Sequence, residues 1–170
     1  MVSARRVARE TALLILFAVD MADSDDVDST MALFWAHFPD DEEVLEELFA
    51  TLSPDTLLTQ TLSQAKYVLG EGDHTQREFV ERLVRGVAAH SSAIDELIGR
   101  YSLNWKVARM GQVDRNILRL AAFELAFESD VPTKATLNEA IEIAKRFGTD
   151  ESGKFVNGIL DRIAQELGQV

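Results

Sequence analysis

Residues 111–127 read GQVDRNILRLAAFELAF. From Val113 onward, apolar side chains stand at Val113, Ile117, Leu118, Leu120, Ala121, Leu125 and Phe127. At about 100° per residue these positions cover almost the whole circumference of a helix. A helix that is apolar on nearly every side needs neighbours on nearly every side. The stretch therefore predicts a central helix starting near Val113, with other helices packed around it.

The rest of the chain supplies those neighbours. Strand signals are scarce, prolines number three in 170 residues, and apolar positions recur every three or four residues. The fold class expected is all-α. A first helix is predicted over 4–22, short helices over 30–37 and 42–52, and a longer one to about Leu69 that starts at the Ser53-Pro54 signal. GEGDHT, 70–75, breaks the chain before a helix in which Phe79, Leu83 and Val87 form one stripe. Ser91 and Ser92 are candidate caps for AIDELIGRY, 93–101. After the central helix, Thr136 and Glu139 read as a capping box opening LNEAIEIAKRF, 137–147, with Gly148 as its stop. Asp150 or Ser152 then caps a last helix with Phe155, Ile159, Ile163 and Leu167 inward.

The formal net charge is -12, which ordinarily argues against nucleic acid, since Lys and Arg supply the contacts to phosphate. Its distribution weakens that objection. Residues 10–65 hold 13 acids and no Lys or Arg, leaving 16 acids against 17 bases elsewhere. The acidity belongs to one segment, and a local basic face outside it is permitted.

Such a face is offered by SARRVARETALLILF, 3–17. A secretory signal is disfavoured: Glu10 interrupts the approach, the apolar run 12–19 is short, and no A-x-A cleavage site follows. No stretch reaches the roughly 20 apolar residues of a membrane span, so no membrane association is expected and the cytoplasm is the default location. As a helix, the stretch puts Arg6 and Phe17 within roughly 20° of each other, with Arg9 about 60° and Arg5 about 100° to one side. Two readings stand. Guanidinium groups followed by an aromatic on the same face suit single-stranded RNA; equally, Phe17 is core and the arginines keep the terminus solvated. Periodicity alone favours the second.

Enzyme chemistry finds little to work with. The chain has no cysteine, and His37, His74 and His90 show no metal-ligand spacing. There is no Gly-rich phosphate loop, and no carboxylate is paired with a nucleophile in a recognisable motif. No catalytic residue, metal or cofactor is expected. Glu124, set among apolar residues in AAFELAF, reads as a glutamate hydrogen-bonded within the fold.

Three segments are more specific than these patterns. ARRVARE near the start, GQVDRNILRLAAFEL in the centre, and VPTKATLNEAIEIAKRFGTDESGKFVNGILDRI towards the end closely resemble the NusB family of bacterial transcription antitermination factors. The resemblance covers roughly residues 4–22 and 76–167. It implies a two-subdomain helical bundle, with an N-terminal subdomain over about 1–90 that includes an acidic, helical insertion over 23–75, and a C-terminal subdomain over about 91–170. It further implies a non-enzymatic protein that pairs with NusE, a ribosomal small-subunit protein, to bind boxA-type single-stranded RNA in nascent ribosomal RNA. Other Nus factors and RNA polymerase would be reached indirectly, and some members of the family form homodimers.

Carried over by position, Arg5, Arg6, Arg9, Phe17, Glu151, Lys154 and Phe155 would meet RNA, and Phe17, Met21 and Asp114 would meet NusE. Val7 interrupts what is often a longer arginine run. The acidic segment would repel RNA, cover the NusE face, or extend the first subdomain; its apolar residues Leu33, Phe34, Trp35, Leu48 and Phe49 favour the last. A NusB-like domain also precedes the catalytic part of some ribosomal RNA cytosine methyltransferases. This chain shows no glycine motif for a methyl donor, so that alternative is a module without catalysis. A protein-binding module that has lost RNA is the third reading.

Overall fold

A computed structural model describes residues 2–22, 26–49, 55–70, 74–103 and 105–169. Among them, nine α-helices and one 3₁₀ turn account for the regular structure, and no strand is present. The chain divides into two compact units, Met1–Arg85 and Gly86–Val170.

In the first unit, helix α1 (Ala4–Met21) packs against α2 (Val27–His37), α3 (Glu42–Phe49) and α4 (Asp55–Leu69). Ser3 caps α1 by accepting the Arg6 N–H at 3.1 Å. Every residue of α1 from Val7 to Ala18 is buried, polar ones included. Thr11 relieves its own burial by donating its hydroxyl to the Val7 carbonyl at 2.8 Å. The described part of the acidic segment is helical and has an aromatic core: Phe34 stacks on Phe38 with centroids 5.5 Å apart, and Phe49 lies 6.2 Å from Phe34. Leu33, expected inside, is exposed, whereas Trp35 is half-buried. The Leu48 side chain and the Ser53-Pro54 signal lie outside the described residues. The unit also includes most of helix α5 (Thr75–Ala89). This stretch is tied to α2 by Arg77, whose guanidinium sits 4.1 Å from the Trp35 ring centre, and by Arg85, which donates to Asp28 at 3.0 Å.

The second unit is built on α6 (Ser91–Tyr101), α7 (Gln112–Phe127), α8 (Thr133–Phe147) and α9 (Ser152–Glu166). Helix α7 packs against the other three, as its apolar circumference requires. Arg119 on α7 grips Asp95 on α6 through two bonds of 2.8 and 2.9 Å. Phe127, the last residue of α7, is partly exposed, and the His90 ring lies on it at 4.1 Å between centroids. Gly86 belongs here as well, because a Cβ at that position would overlap the Phe123 ring.

Three expected caps turn out differently. Helix α8 begins at Thr133, just after Pro132, so Thr136 lies inside the helix. Its hydroxyl donates to the Glu124 carboxylate at 3.0 Å, satisfying a side chain that is almost wholly buried in α7. Ser91 and Ser92 fall inside α6, whose cap position is His90. Ser152 opens α9, and its Oγ accepts the Thr149 N–H at 2.9 Å, fixing the loop before the helix. Of the four residues expected inward on α9, Ile159 and Ile163 are buried while Phe155 is half-buried and Leu167 exposed; Val156 and Leu160 take the remaining core places.

Thr136→Val keeps the shape but removes a donor from a buried carboxylate. A loss of about 1–3 kcal/mol is expected in denaturant melts, with Thr136→Ser close to the parent. A second prediction concerns Asp26, which caps α2. The Ser29 hydroxyl, at 2.6 Å, and then the Ser29 N–H, at 3.0 Å, hold its carboxyl below the ordinary value. A depressed folded value stabilises the fold above the unfolded pKa, and this contribution is lost as pH falls through the folded value. An acid titration followed by circular dichroism should therefore show a component below about pH 4 that Asp26→Asn lacks.

Candidate nucleic-acid interface

In the first unit, the basic start of α1 gathers round one aromatic ring. Phe79 is buried, and the Arg5, Arg82 and Arg9 guanidiniums lie 3.9, 5.3 and 5.5 Å from its ring centre. The ring's negative face attracts cations, by about 0.5–1 kcal/mol where exposed and more where water is excluded. It thus offsets part of the repulsion among three like charges. Arg5 and Arg82 are exposed and Arg6 half-buried, whereas Arg9 is 6% exposed and contributes its charge from below the surface.

Phe17 lies elsewhere. It is 4% exposed, a core side chain with almost no surface to offer a base or a protein, because α1 is enclosed on all faces at that level. The resemblance gave it contacts to both RNA and NusE; its position in this fold is the core place that periodicity favoured. Met21, at the end of α1, is 52% exposed and open to a partner.

The second unit holds a cleft of about 260 Å³. Asp114 reaches it from the first turn of α7, and Glu151 and Phe155 from the start of α9. The connection between α6 and α7 contributes Trp105, Arg109, Met110 and Gly111, and Thr149 and Ser152 complete the lining. The α8–α9 loop is shaped by close approach, since a Cβ on Gly148 would overlap the Ser152 hydroxyl. Lys154 is exposed beside Phe155. The structure thus brings together Glu151, Phe155 and Asp114, which the resemblance divided between RNA and NusE. Two carboxylates, a guanidinium and two aromatic rings make a site for a planar polar group, with hydrogen-bond acceptors inside it.

Sequence reasoning missed Phe79, Arg82, Trp105 and Arg109. Phe79 was read only as core. The one signal for the last pair was a large aromatic in SLNWKVAR, a connection with no helical periodicity to bury it. Among the described residues no group of three or more His, Asp or Glu could hold a metal ion. No described helix is long and apolar enough to cross a membrane.

A sequence model of the NusB family matches residues 43–165. The chain belongs to the NusB family. The transcription antitermination protein NusB of Syntrophotalea carbinolica is 42% identical over 161 residues, covering 95% of this chain and 92% of the relative. That of Anaeromyxobacter dehalogenans is 41% identical over 168 residues, covering 98% and 94%. Among solved structures, Thermotoga maritima NusB aligns with a TM-score of 0.67 at 39% identity, covering 98% of this chain and 94% of that one. A structure described as antitermination factors NusB and NusE in complex with dsRNA aligns at 0.64 and 23% identity, covering 98% and 99%, and shows the shared fold. These NusB relatives align over nearly all of this chain, so the acidic segment falls within the span they share.

The placement of Phe17 is open to a direct check. A core aromatic truncated to alanine costs about 3–5 kcal/mol, whereas an exposed platform costs little. Phe17→Ala should accordingly lower the thermal midpoint sharply, and Met21→Ala should leave it nearly unchanged.

Proposed function

We propose that this NusB-family chain is a non-enzymatic adaptor that binds single-stranded, boxA-type RNA together with a NusE-type ribosomal protein and so supports transcription antitermination. The observation that carries the reading is the near full-length relationship to proteins named transcription antitermination protein NusB. The NusB–NusE pair named in the dsRNA complex supplies the partner. The side chains are suited to the task. Arg5, Arg6 and Arg82 meet phosphates, and Arg9 and Phe79 hold that group in place. Glu151, Lys154 and Phe155 meet RNA at the cleft, while Met21 and Asp114 serve the protein partner. Phosphate neutralisation supplies affinity, and contacts to unstacked bases supply selection.

A protein-binding module that has lost RNA is the second reading. It is favoured by the exposed carboxylates of Asp40, Asp41, Glu42, Glu43 and Glu47 at the start of and along α3.

Titrating labelled boxA-type RNA with the full chain, with and without its NusE, at several salt concentrations separates the two. RNA affinity should fall as salt rises and increase when NusE is present. Replacing Arg5 with alanine should weaken RNA binding and reduce the log–log salt slope by about 0.7, the contribution of one single-strand phosphate. Its affinity for NusE should not change. RNA binding indifferent to both salt and NusE would count against the reading, and NusE binding without any RNA affinity would select the protein-only module.

A further inference from the structure

Helix α2 carries apolar residues on more sides than its neighbours cover. It packs against α1 and α3 and buries Met31 and Phe34. On its other side, Ser29, Ala32, Leu33 and Ala36 fall within roughly 100° of one another at about 100° per residue. All four are exposed, and the largest, Leu33, is 52% exposed. The strip offers no free hydrogen-bond donor, since the Ser29 hydroxyl is given to Asp26 at 2.6 Å. Apolar residues at three- and four-residue spacing form the face by which one helix meets another. The helices of this unit leave that face of α2 in solvent.

The charges at the two ends of the strip differ. At its N-terminal end Asp28 is paired with Arg85 at 3.0 Å, and Asp26 is engaged as the helix cap. Beyond its C-terminal end Asp40, Asp41, Glu42, Glu43 and Glu47 are exposed. The bases beside them are few: Lys66 lines a small cleft with Glu42, and His37 Nδ1 lies 3.0 Å from an Asp41 oxygen. Such a field repels phosphate. It also opposes a second copy of the chain, because two strips laid together bring acid against acid at their ends. It attracts Lys and Arg. A covering element is therefore apolar along α2 and cationic where it passes the α2–α3 turn.

We infer that the exposed face of α2 docks an amphipathic helical segment of a basic protein distinct from NusE. The segment lays its apolar side on Ala32, Leu33 and Ala36 and sets its Lys or Arg side chains over the carboxylates of residues 40–43. None of the residues assigned above to RNA or to NusE belongs to this face. The inference stands whether or not the chain binds RNA.

The test titrates the full chain with a labelled helical peptide of leucine and lysine, its leucines at three- and four-residue spacing, and with a scrambled peptide of the same composition. The patterned peptide should bind more tightly than the scrambled one. Leu33→Gln should weaken the patterned peptide about tenfold, the worth of one buried leucine side chain, without lowering the melting temperature. Leu103→Gln, at an exposed leucine of the second unit, should have no effect. Neutralising the acids together, as Asp40→Asn, Asp41→Asn, Glu42→Gln and Glu43→Gln, should weaken binding and flatten its dependence on salt. Equal affinity for the two peptides would reduce the attraction to charge alone and overturn the inference. A parent that binds neither peptide, or a folded Leu33→Gln variant that binds as the parent does, would do the same. Loss of NusE binding by Leu33→Gln would assign the face to NusE, and self-association of the parent that Leu33→Gln abolishes would assign it to a second copy; either result refutes a separate basic partner.

Discussion

The enclosure of α1 on every face is the constraint on which the first unit depends. A helix whose residues from Val7 to Ala18 are all buried has no solvent side on which to place charge. Its cations are therefore confined to the first turns, where the chain enters the fold, and the interior polar residues need partners of their own. Thr11 finds one in its own helix, and Arg9 lies beside the Phe79 ring. The same ring holds Arg5 at the surface. One buried aromatic on α5 thus links the packing of the unit to its basic patch, and the cations are held on rigid helices with limited freedom to scatter.

Charge divides unevenly between the two units. The first unit has seven bases against 17 acids, and the second ten against 12. A polyanion approaching the first unit meets an unfavourable average field in which the arginine cluster is a local exception. Its neighbourhood is set by position as much as by sign. In the second unit the balance is nearly even, and the local field there is set by individual groups such as those lining the cleft.

Most of the helical layout was legible in the sequence, because apolar periodicity reports on burial directly. The α7 stretch marked itself as central, and α1 begins at Ala4, where the first helix was predicted. Local signals failed where tertiary demand outweighed them. Thr136 and Glu139 satisfy the capping-box pattern, yet Thr136 is engaged by Glu124, twelve positions away, a pairing no local window contains. Ser152 was expected to cap a helix and instead secures the loop before it. Phe17 and Arg6 do share a helical azimuth, but a shared azimuth does not reveal whether anything covers it. The cleft was half visible: Asp114, Glu151 and Phe155 entered through resemblance to the NusB family. Trp105 and Arg109 lie in a connection without periodicity, where only the folded chain shows what they adjoin.

Because α1 precedes in the chain the helices that cover it, synthesis imposes a delay. Its run Leu13–Phe17 leaves the ribosome well before α4, which ends at Leu69, exists to pack against it. At roughly 5–20 residues per second, the uncovered helix waits several seconds. All but the last few residues made during that interval belong to the acid-rich stretch 10–65, which has no Lys or Arg. Self-repulsion of that stretch keeps neighbouring nascent chains apart while their apolar helices are bare. The acidity that looked like an obstacle to RNA is also a solubilising sequence, placed at the point in synthesis where the chain is most prone to associate with its copies.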